Sequence, residues 1–576
     1  MAESPPRYQY APLEGPNSFR ILELLKGEDG EPLRCNINHV SMDRRPQYEA
    51  LSYVWSVGKA TIYCGSSNTN ATLKVSVTCL RALKALRLRD QSRSLWIDAI
   101  CINQEDSPAA IAEKNQQVKM MHKIYENAFR VLVYPMGLHK LSREDVGTLL
   151  GLLNLERDQL HQEKIPIPQE YQDMARLVDK DFGIFQIHGI ALRMDWFFRT
   201  WVIQEAALAE EATMILEKAE APFYELLDLS LKMYEKRDRS QDDELRSQLF
   251  LHASLHNRST PRPSLLQLAH IARGAKATRP VDKLYALIGI ASDRDHFQNA
   301  ISYGKNVATV FADFSQRFIN QSRNLDLLSV VRESPPSEVL PSWAVQWDTM
   351  NVNYCTVLDP FGSRKNFIAC GDFASTEMQG QNTQELHLRG IKIDSVATRS
   401  IRASEDSVQK LAAKARSLFP CLEEKICRMS GQSPESQAQT CVIYNDIEKA
   451  IMNTLSCGAV RMDEQVVKAS ANPMFESDEH SFYGFGREVW TEVIHHAKYY
   501  AFINTSSGYM GLVDKLASKG DIICILSGGS VPYVLRPVPG EEGKYQFISE
   551  AYIEGVMHGE AMEGNEEKDL QDFILV

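Results

Sequence analysis

Several familiar signatures are missing from this chain, and each absence removes a class of function. None of its eleven cysteines (Cys35, Cys64, Cys79, Cys101, Cys355, Cys370, Cys421, Cys427, Cys441, Cys457 and Cys524) belongs to a Cys-x-x-Cys pair. Zinc-ribbon spacing and a dithiol redox motif are therefore both excluded. An odd number of scattered thiols fits the reduced, buried cysteines of a cytosolic protein. There is no Gly-x-Gly-x-x-Gly, no phosphate loop ending in Gly-Lys-Ser/Thr and no Gly-x-Ser-x-Gly elbow, so the usual dinucleotide, NTPase and hydrolase fingerprints are not written here. No apolar run approaches the length of a membrane helix. The first residues, Met1-Ala2-Glu3-Ser4-Pro5-Pro6, put an acid and prolines where a signal peptide needs a basic and an apolar region. Basic excess is missing as well. A net charge of −12 argues against a dominant nucleic-acid groove and favours solubility. A cytoplasmic protein is expected, one that uses no membrane and no nucleic acid.

What is present is ordinary in bulk and distinctive in three places. The 576 residues are 44% hydrophobic and 24% charged, the balance of a soluble globular protein too long for one core. Around Leu95-Trp96-Ile97 a short apolar run, the length of a buried parallel strand, breaks into Asp98, Asn103, Gln104, Glu105 and Asp106. Open α/β sheets place ligand sites at such a polar carboxyl edge. Tyr48 to Trp55 is a similar strand before it, and Trp201-Val202-Ile203-Gln204-Glu205 is a third candidate after it.

Between these blocks the pattern alternates. Phe19–Leu25 with Leu33–Val40, and Ala60–Cys64 with Thr72–Val75, read as hairpins. Thr78–Leu88 reads as a helix capped by Thr78, and Ser107-Pro108 opens another that leads to a strand at Arg130–Tyr134. Strand and helix in alternation predict an α/β module, a right-handed parallel sheet with decorating hairpins. A helical region and a mixed α+β C-terminal domain follow. The expected divisions are a disordered segment 1–17, the α/β module 18–215, a helical domain 216–335 and the C-terminal domain 336–576. In that last part Glu405–Asn453 and Glu488–Phe502 read as helices, and the tail from Ile522 onward as strands.

Glu205 is the sharpest chemical candidate. It lies one helical turn after Trp201, on the same face. A carboxylate beside a large aromatic in an apolar helix is desolvated and holds its proton more tightly. Aimed at a sugar C1, it could stabilise an oxocarbenium-like centre as an N-glycosidic bond breaks. A plainer alternative stays open: a solvated Glu205, or one paired with Arg199. Asp98, Asn103 and Gln104 could hold ribose hydroxyls or a carboxamide, or simply cap the turn that follows. Ser52, Tyr53 and Trp55 end the earlier strand, and Trp55 could stack on a nucleobase or pack as core. His122, His188 and Cys101 have no partner at catalytic spacing, so satisfied core positions are expected of them. No metal site is visible.

The blocks YEALSYVW (48–55), LWIDAICINQED (95–106) and RTWVIQE (199–205) resemble those of the fungal heterokaryon-incompatibility (HET) domain. The resemblance extends to Gln116–Tyr125 and Arg279–Leu287, and the tail from Gly520 to Glu560 is similar to the C-terminal part of such proteins. It implies a fungal cytosolic protein of non-self recognition and programmed cell death. It also implies that the parallel sheet is flavodoxin- or TIR-like, since HET domains are similar to TIR domains, some of which cleave NAD, with Trp201 and Glu205 at the spacing of the TIR tryptophan and catalytic glutamate. On that reading Glu205 is catalytic, and Ser52, Tyr53, Trp55, Asp98, Asn103, Gln104 and Trp201 shape the pocket. NAD is then the substrate, no cofactor is required, and self-association or a protein partner switches the activity on. A non-catalytic recognition or scaffold protein, and a fold recruited to fungal secondary-metabolite biosynthesis, stand as alternatives. Two residues depart from the family pattern: Ser56 replaces the usual glycine, and Val202 the usual threonine.

Overall fold

β3 (Glu49–Tyr53) carries four buried residues in a row, as expected of a strand covered on both faces. In the computed structural model it is an interior strand of a nine-stranded sheet. The structure describes residues 5–65, 71–135, 141–178, 194–217, 219–235, 243–257, 259–331, 340–349, 367–373, 384–399, 450, 453–455, 457 and 500–576. The expected helices over 405–453 and 488–502 lie almost wholly outside them. The chain divides into two compact units, one of residues 1–307 with 347–352, the other of 308–346 with 353–576.

In the first unit β3 pairs in parallel with β6 (Arg93–Trp96) on one side and β7 (Val131–Tyr134) on the other, and β7 pairs in parallel with β8 (Ala212–Leu216). Numbered by their order in the chain, these four strands run 2-1-3-4 across the sheet. The sheet is mixed, not wholly parallel. The hairpin of β1 (Ser18–Leu24) and β2 (Arg34–Ser41) joins the edge of β6 antiparallel, and the hairpin of β4 (Lys59–Cys64) and β5 (Ala71–Ser76) extends it from β2. A short β9 (Ala219–Pro222), which has no clear sequence signal, closes the far edge against β8.

Helix starts follow local chemistry. The helix Val77–Leu86 is capped by Ser76, whose hydroxyl accepts from the Cys79 N–H, and not by Thr78. Ser107 caps Pro108–Glu126 in the same way, with Pro108 at the first position where its missing N–H costs nothing. Ser107→Ala is expected to lower stability by about 1 kcal/mol in urea denaturation. From residue 5 the N-terminal segment, expected to be disordered, lies against the sheet. Tyr8 N donates to Thr72 O at 2.9 Å and Tyr10 Oη to Ile100 O at 2.9 Å. Backbone pairing and two aromatic anchors outweigh the segment's proline content. Helices at Phe223–Glu235, Asp243–His256, Leu265–Ile271 and Asp282–Ile288 complete this unit.

The second unit is built on β10 (Leu386–Arg399), a fourteen-residue strand that serves three neighbours. Its first part pairs with β16 (Gln571–Leu575), its middle with β13 (Ile522–Leu526) and its end with β11 (Tyr500–Thr505). From β11 the ladder runs through β12 (Met510–Asp514), β15 (Lys544–Ile553), β14 (Tyr533–Pro537) and β13 back to β10. Every pairing in that ring is antiparallel, so six strands close and leave no free edge. Val396, Ile503, Val513, Ile523, Val534 and Ile553 form one fully buried cluster among these strands. At Gly390 a Cβ would stand 2.2 Å from the Ile525 carbonyl oxygen, so only glycine permits the approach. Among the described residues no helix is long and apolar enough to cross a membrane.

Candidate functional site

Three chain segments deliver side chains to one hollow at the carboxyl ends of β3 and β6. β3 ends in Tyr53 and Trp55, β6 runs into Asp98, and the helix Thr200–Leu208 brings Trp201 and Glu205. These residues line a single cavity of about 120 Å³ together with Gln104, Lys114, Arg199, Arg279, Asp282 and Tyr303.

Glu205 is 4% exposed. The Trp196 indole N–H donates to Ser52 Oγ at 2.8 Å, and Ser52 Oγ donates in turn to Glu205 Oε2. Trp196 is itself fully buried and stacks on His252, so this relay starts from a fixed point. Burial, and then the negative charge of Asp98, raise the Glu205 carboxyl to about 8; the Ser52 hydroxyl, Arg199 and the Tyr125 hydroxyl pull the other way and lose. Asp98 is raised to about 6, again chiefly by burial, against the Ala99 N–H, Arg199 and Trp55. Trp55 Nε1 donates to Asp98 Oδ2 at 3.1 Å, and its ring is 40% exposed at the rim. Two acids that share a cavity thus hold their protons to different pH, an arrangement typical of acid–base sites. The solvated and Arg199-paired alternatives for Glu205 do not describe this environment.

Of the residues singled out from sequence, Tyr53, Trp55, Asp98, Gln104, Trp201 and Glu205 meet on the cavity wall. Ser52 sits one layer behind, against Glu205. Asn103 turns away: its side-chain oxygen accepts from the Glu105 N–H at 3.1 Å, and its own N–H donates to Glu113. An Asx turn claims it, as the capping alternative anticipates. Gln104 reaches back to the Asp98 carbonyl at 3.1 Å. The Tyr53 hydroxyl is buried, with Cys79 and Ser76 beside it. His122 is buried, and burial holds its imidazole down at about 4; Cys101 is buried too, its thiol pushed up to about 12. His188 lies outside the described residues.

Ser56 does not strain the loop. It is not among the described residues with positive φ, and its hydroxyl accepts from the Thr78 N–H at 3.2 Å. The missing family glycine is therefore replaced by a side chain that ties the Trp55 loop to the helix Val77–Leu86. Lys114 and Tyr303 carry no sequence signal for this site, and Arg279 and Asp282, though inside the resembling block 279–287, are not singled out as site residues by the sequence. Lys114 lies in an unremarkable polar helix, and the other three come from 165 to 189 residues further along.

With this geometry in view, two family profiles match the chain. The one described as "Heterokaryon incompatibility protein (HET)" covers residues 48–205, ending on the glutamate at the cavity. The one described as "Het-6 beta-barrel domain" covers residues 460–576, in agreement with the closed ring of strands in the second unit. A relative from Neurospora crassa, "Heterokaryon incompatibility protein 6, OR allele", is 24% identical over 95% of this chain and 94% of its own length. No solved structure matches. Two profiles in the right order and a relative collinear from end to end agree: the chain belongs to the fungal HET-domain proteins.

Proposed function

We propose that the protein acts in heterokaryon incompatibility as a cytoplasmic cell-death effector, and that its α/β module hydrolyses the N-glycosidic bond of NAD or a related nucleotide. The observation that carries the reading is the convergence of Glu205 and Asp98, from different elements, on one cavity at the carboxyl edge of the sheet. The strand order 2-1-3-4 is that of flavodoxin-like sheets, which supports the TIR likeness. A cavity of about 120 Å³ is close to the volume that takes a single six-membered ring, since a void of about 150 Å³ binds benzene. Nicotinamide fits such a hollow, with the rest of the nucleotide lying toward the open rim.

In the proposed reaction the C1′–N1 bond breaks and its electron pair leaves with the pyridinium nitrogen, which departs as neutral nicotinamide. No acid is needed to expel it. Glu205, ionised in the presence of the ligand's positive charge, stabilises the cationic C1′. Water adds to C1′ and loses a proton to Asp98, the carboxylate more readily ionised at neutral pH. The products are nicotinamide, ADP-ribose and a proton. Self-association is the proposed switch, because a constant NAD hydrolase would drain its own cell. The test is nicotinamide release from NAD by concentrated full-length protein. Release is expected to rise faster than linearly with protein concentration. A flat zero at every concentration overturns the hydrolase reading.

A further inference from the structure

The cavity wall carries basic groups as well as acids. Lys114, from the helix Pro108–Glu126, and Arg279, from the turn before the helix Asp282–Ile288, both lie on the ring of Tyr303, at 4.6 Å and 5.2 Å from its centroid. The ring is a built platform. Its hydroxyl donates to Asp282 Oδ1 at 2.6 Å, its backbone N–H donates to Asn115 Oδ1 at 2.9 Å, and Tyr285 meets it edge-on. Asp282 is thereby engaged, and its charge acts on both Lys114 and Arg279 from beyond ion-pair distance. Among the described residues neither Lys114 nor Arg279 has a carboxylate within ion-pair distance. Cation–π attraction gathers these two like charges over one ring, and burial followed by the charge of Arg279 lowers the Lys114 ammonium.

We propose that the Lys114–Arg279 side of the cavity, on its Tyr303 platform, receives the diphosphate of a dinucleotide. The pyridinium end of that ligand then lies between Asp98 and Glu205, and this part rests on the hydrolase reading above. The site matches a zwitterion: carboxylates where the ligand is cationic, an ammonium and a guanidinium where it is anionic. Arginine forks onto phosphate oxygens and lysine meets them as a point charge. A free nucleoside or nicotinamide alone would leave both cations unanswered, so the substrate class narrows to diphosphate-bearing nucleotides.

The experiment is calorimetric binding of two probes to the full-length chain. ADP-ribose carries the diphosphate without the pyridinium; nicotinamide riboside carries the pyridinium without phosphate. Lys114→Gln and Arg279→Gln are each expected to weaken ADP-ribose by about tenfold, with a shallower salt dependence, and to shift nicotinamide riboside by less than about twofold. Arg279→Lys restores part of the loss. Unchanged ADP-ribose affinity in both variants, equal losses for both probes, or no ADP-ribose binding by the parent protein would each overturn the proposal. Binding needs no turnover, so the two readings fail separately. Protein that binds ADP-ribose through these cations but releases no nicotinamide sinks the hydrolase alone. Turnover of NAD that is indifferent to both substitutions sinks the diphosphate site alone.

Discussion

Glu205→Gln is expected to cut nicotinamide release by on the order of 10²–10³-fold and, at the same time, to make the protein more stable at alkaline pH. The activity loss follows from removing the one charge aimed at the cationic C1′ while keeping the shape and the oxygen that accepts from Ser52. The stability gain follows from linkage. Glu205 ionises near 8 in the folded chain against an ordinary 4.5, so its folded-state pKa is raised. Its favourable contribution is complete below about pH 4.5, and it is lost as pH climbs through 8. By pH 8 the loss is on the order of 4 kcal/mol at most. Glutamine has no charge to lose, so the two proteins' unfolding curves should nearly coincide at pH 4.5 and separate as pH rises. A group that weakens the fold and is buried against another acid is characteristic of a site kept for chemistry. The parent kcat/KM should rise with pH to a plateau above about 8, as Glu205 loses its proton in the free enzyme. Asp98→Asn removes the charge that helps raise Glu205, so the alkaline loss of stability is expected to shrink relative to the parent. Equal turnover by Glu205→Gln and parent, or superimposable unfolding curves at pH 8, would remove Glu205 from the mechanism.

The residues legible in the sequence were those whose neighbours lie close along the chain. A buried strand that breaks into acids is visible locally, and so is a tryptophan one turn before a glutamate; both led to the cavity wall. The hairpins at 18–41 and 59–76 were legible from turn residues between alternating runs. What was not legible depends on distant pairing. The hairpins were expected to decorate the parallel sheet, but which edge they join was not legible: β1 pairs antiparallel beside β6, a register fixed only once Leu22 and Leu95 are opposed. The Ser52–Trp196 relay joins positions 144 residues apart. The Tyr303 platform joins helix Pro108–Glu126 to residues nearly two hundred further on. Asn103 failed for the opposite reason. Its own backbone competed for it, and a local turn won over the cavity.

The second large effect comes from a pair that touches no ligand. Arg20, on β1, is completely buried, and its guanidinium forks onto Glu113 at 2.7 Å and 2.8 Å while donating to the carbonyls of Cys101 and Ala11. Glu113 also accepts from the Asn103 N–H. One ion pair therefore clasps the N-terminal segment, the loop that carries Asp98 to Gln104, and the helix that carries Lys114. Burial alone would raise Glu113, but Arg20 and the Asn103 N–H outweigh it and hold the carboxyl below its usual range. Glu113→Ala leaves a buried guanidinium without its anion and is expected to cost about 3–5 kcal/mol in urea denaturation, the range for breaking a buried pair from one side. Glu113→Gln keeps an acceptor for Asn103 and should cost less. Because the folded Glu113 is more acidic than in the unfolded chain, its contribution is present at neutral pH and fades as pH falls through its lowered value. The Glu113→Ala deficit should therefore shrink in acid, while the Glu205→Gln gain grows in alkali. Opposite pH signs from two carboxylates in one unit separate a residue that holds the cavity together from one held there against its own stability. If both substitutions moved stability in the same direction at every pH, that division of labour would be wrong.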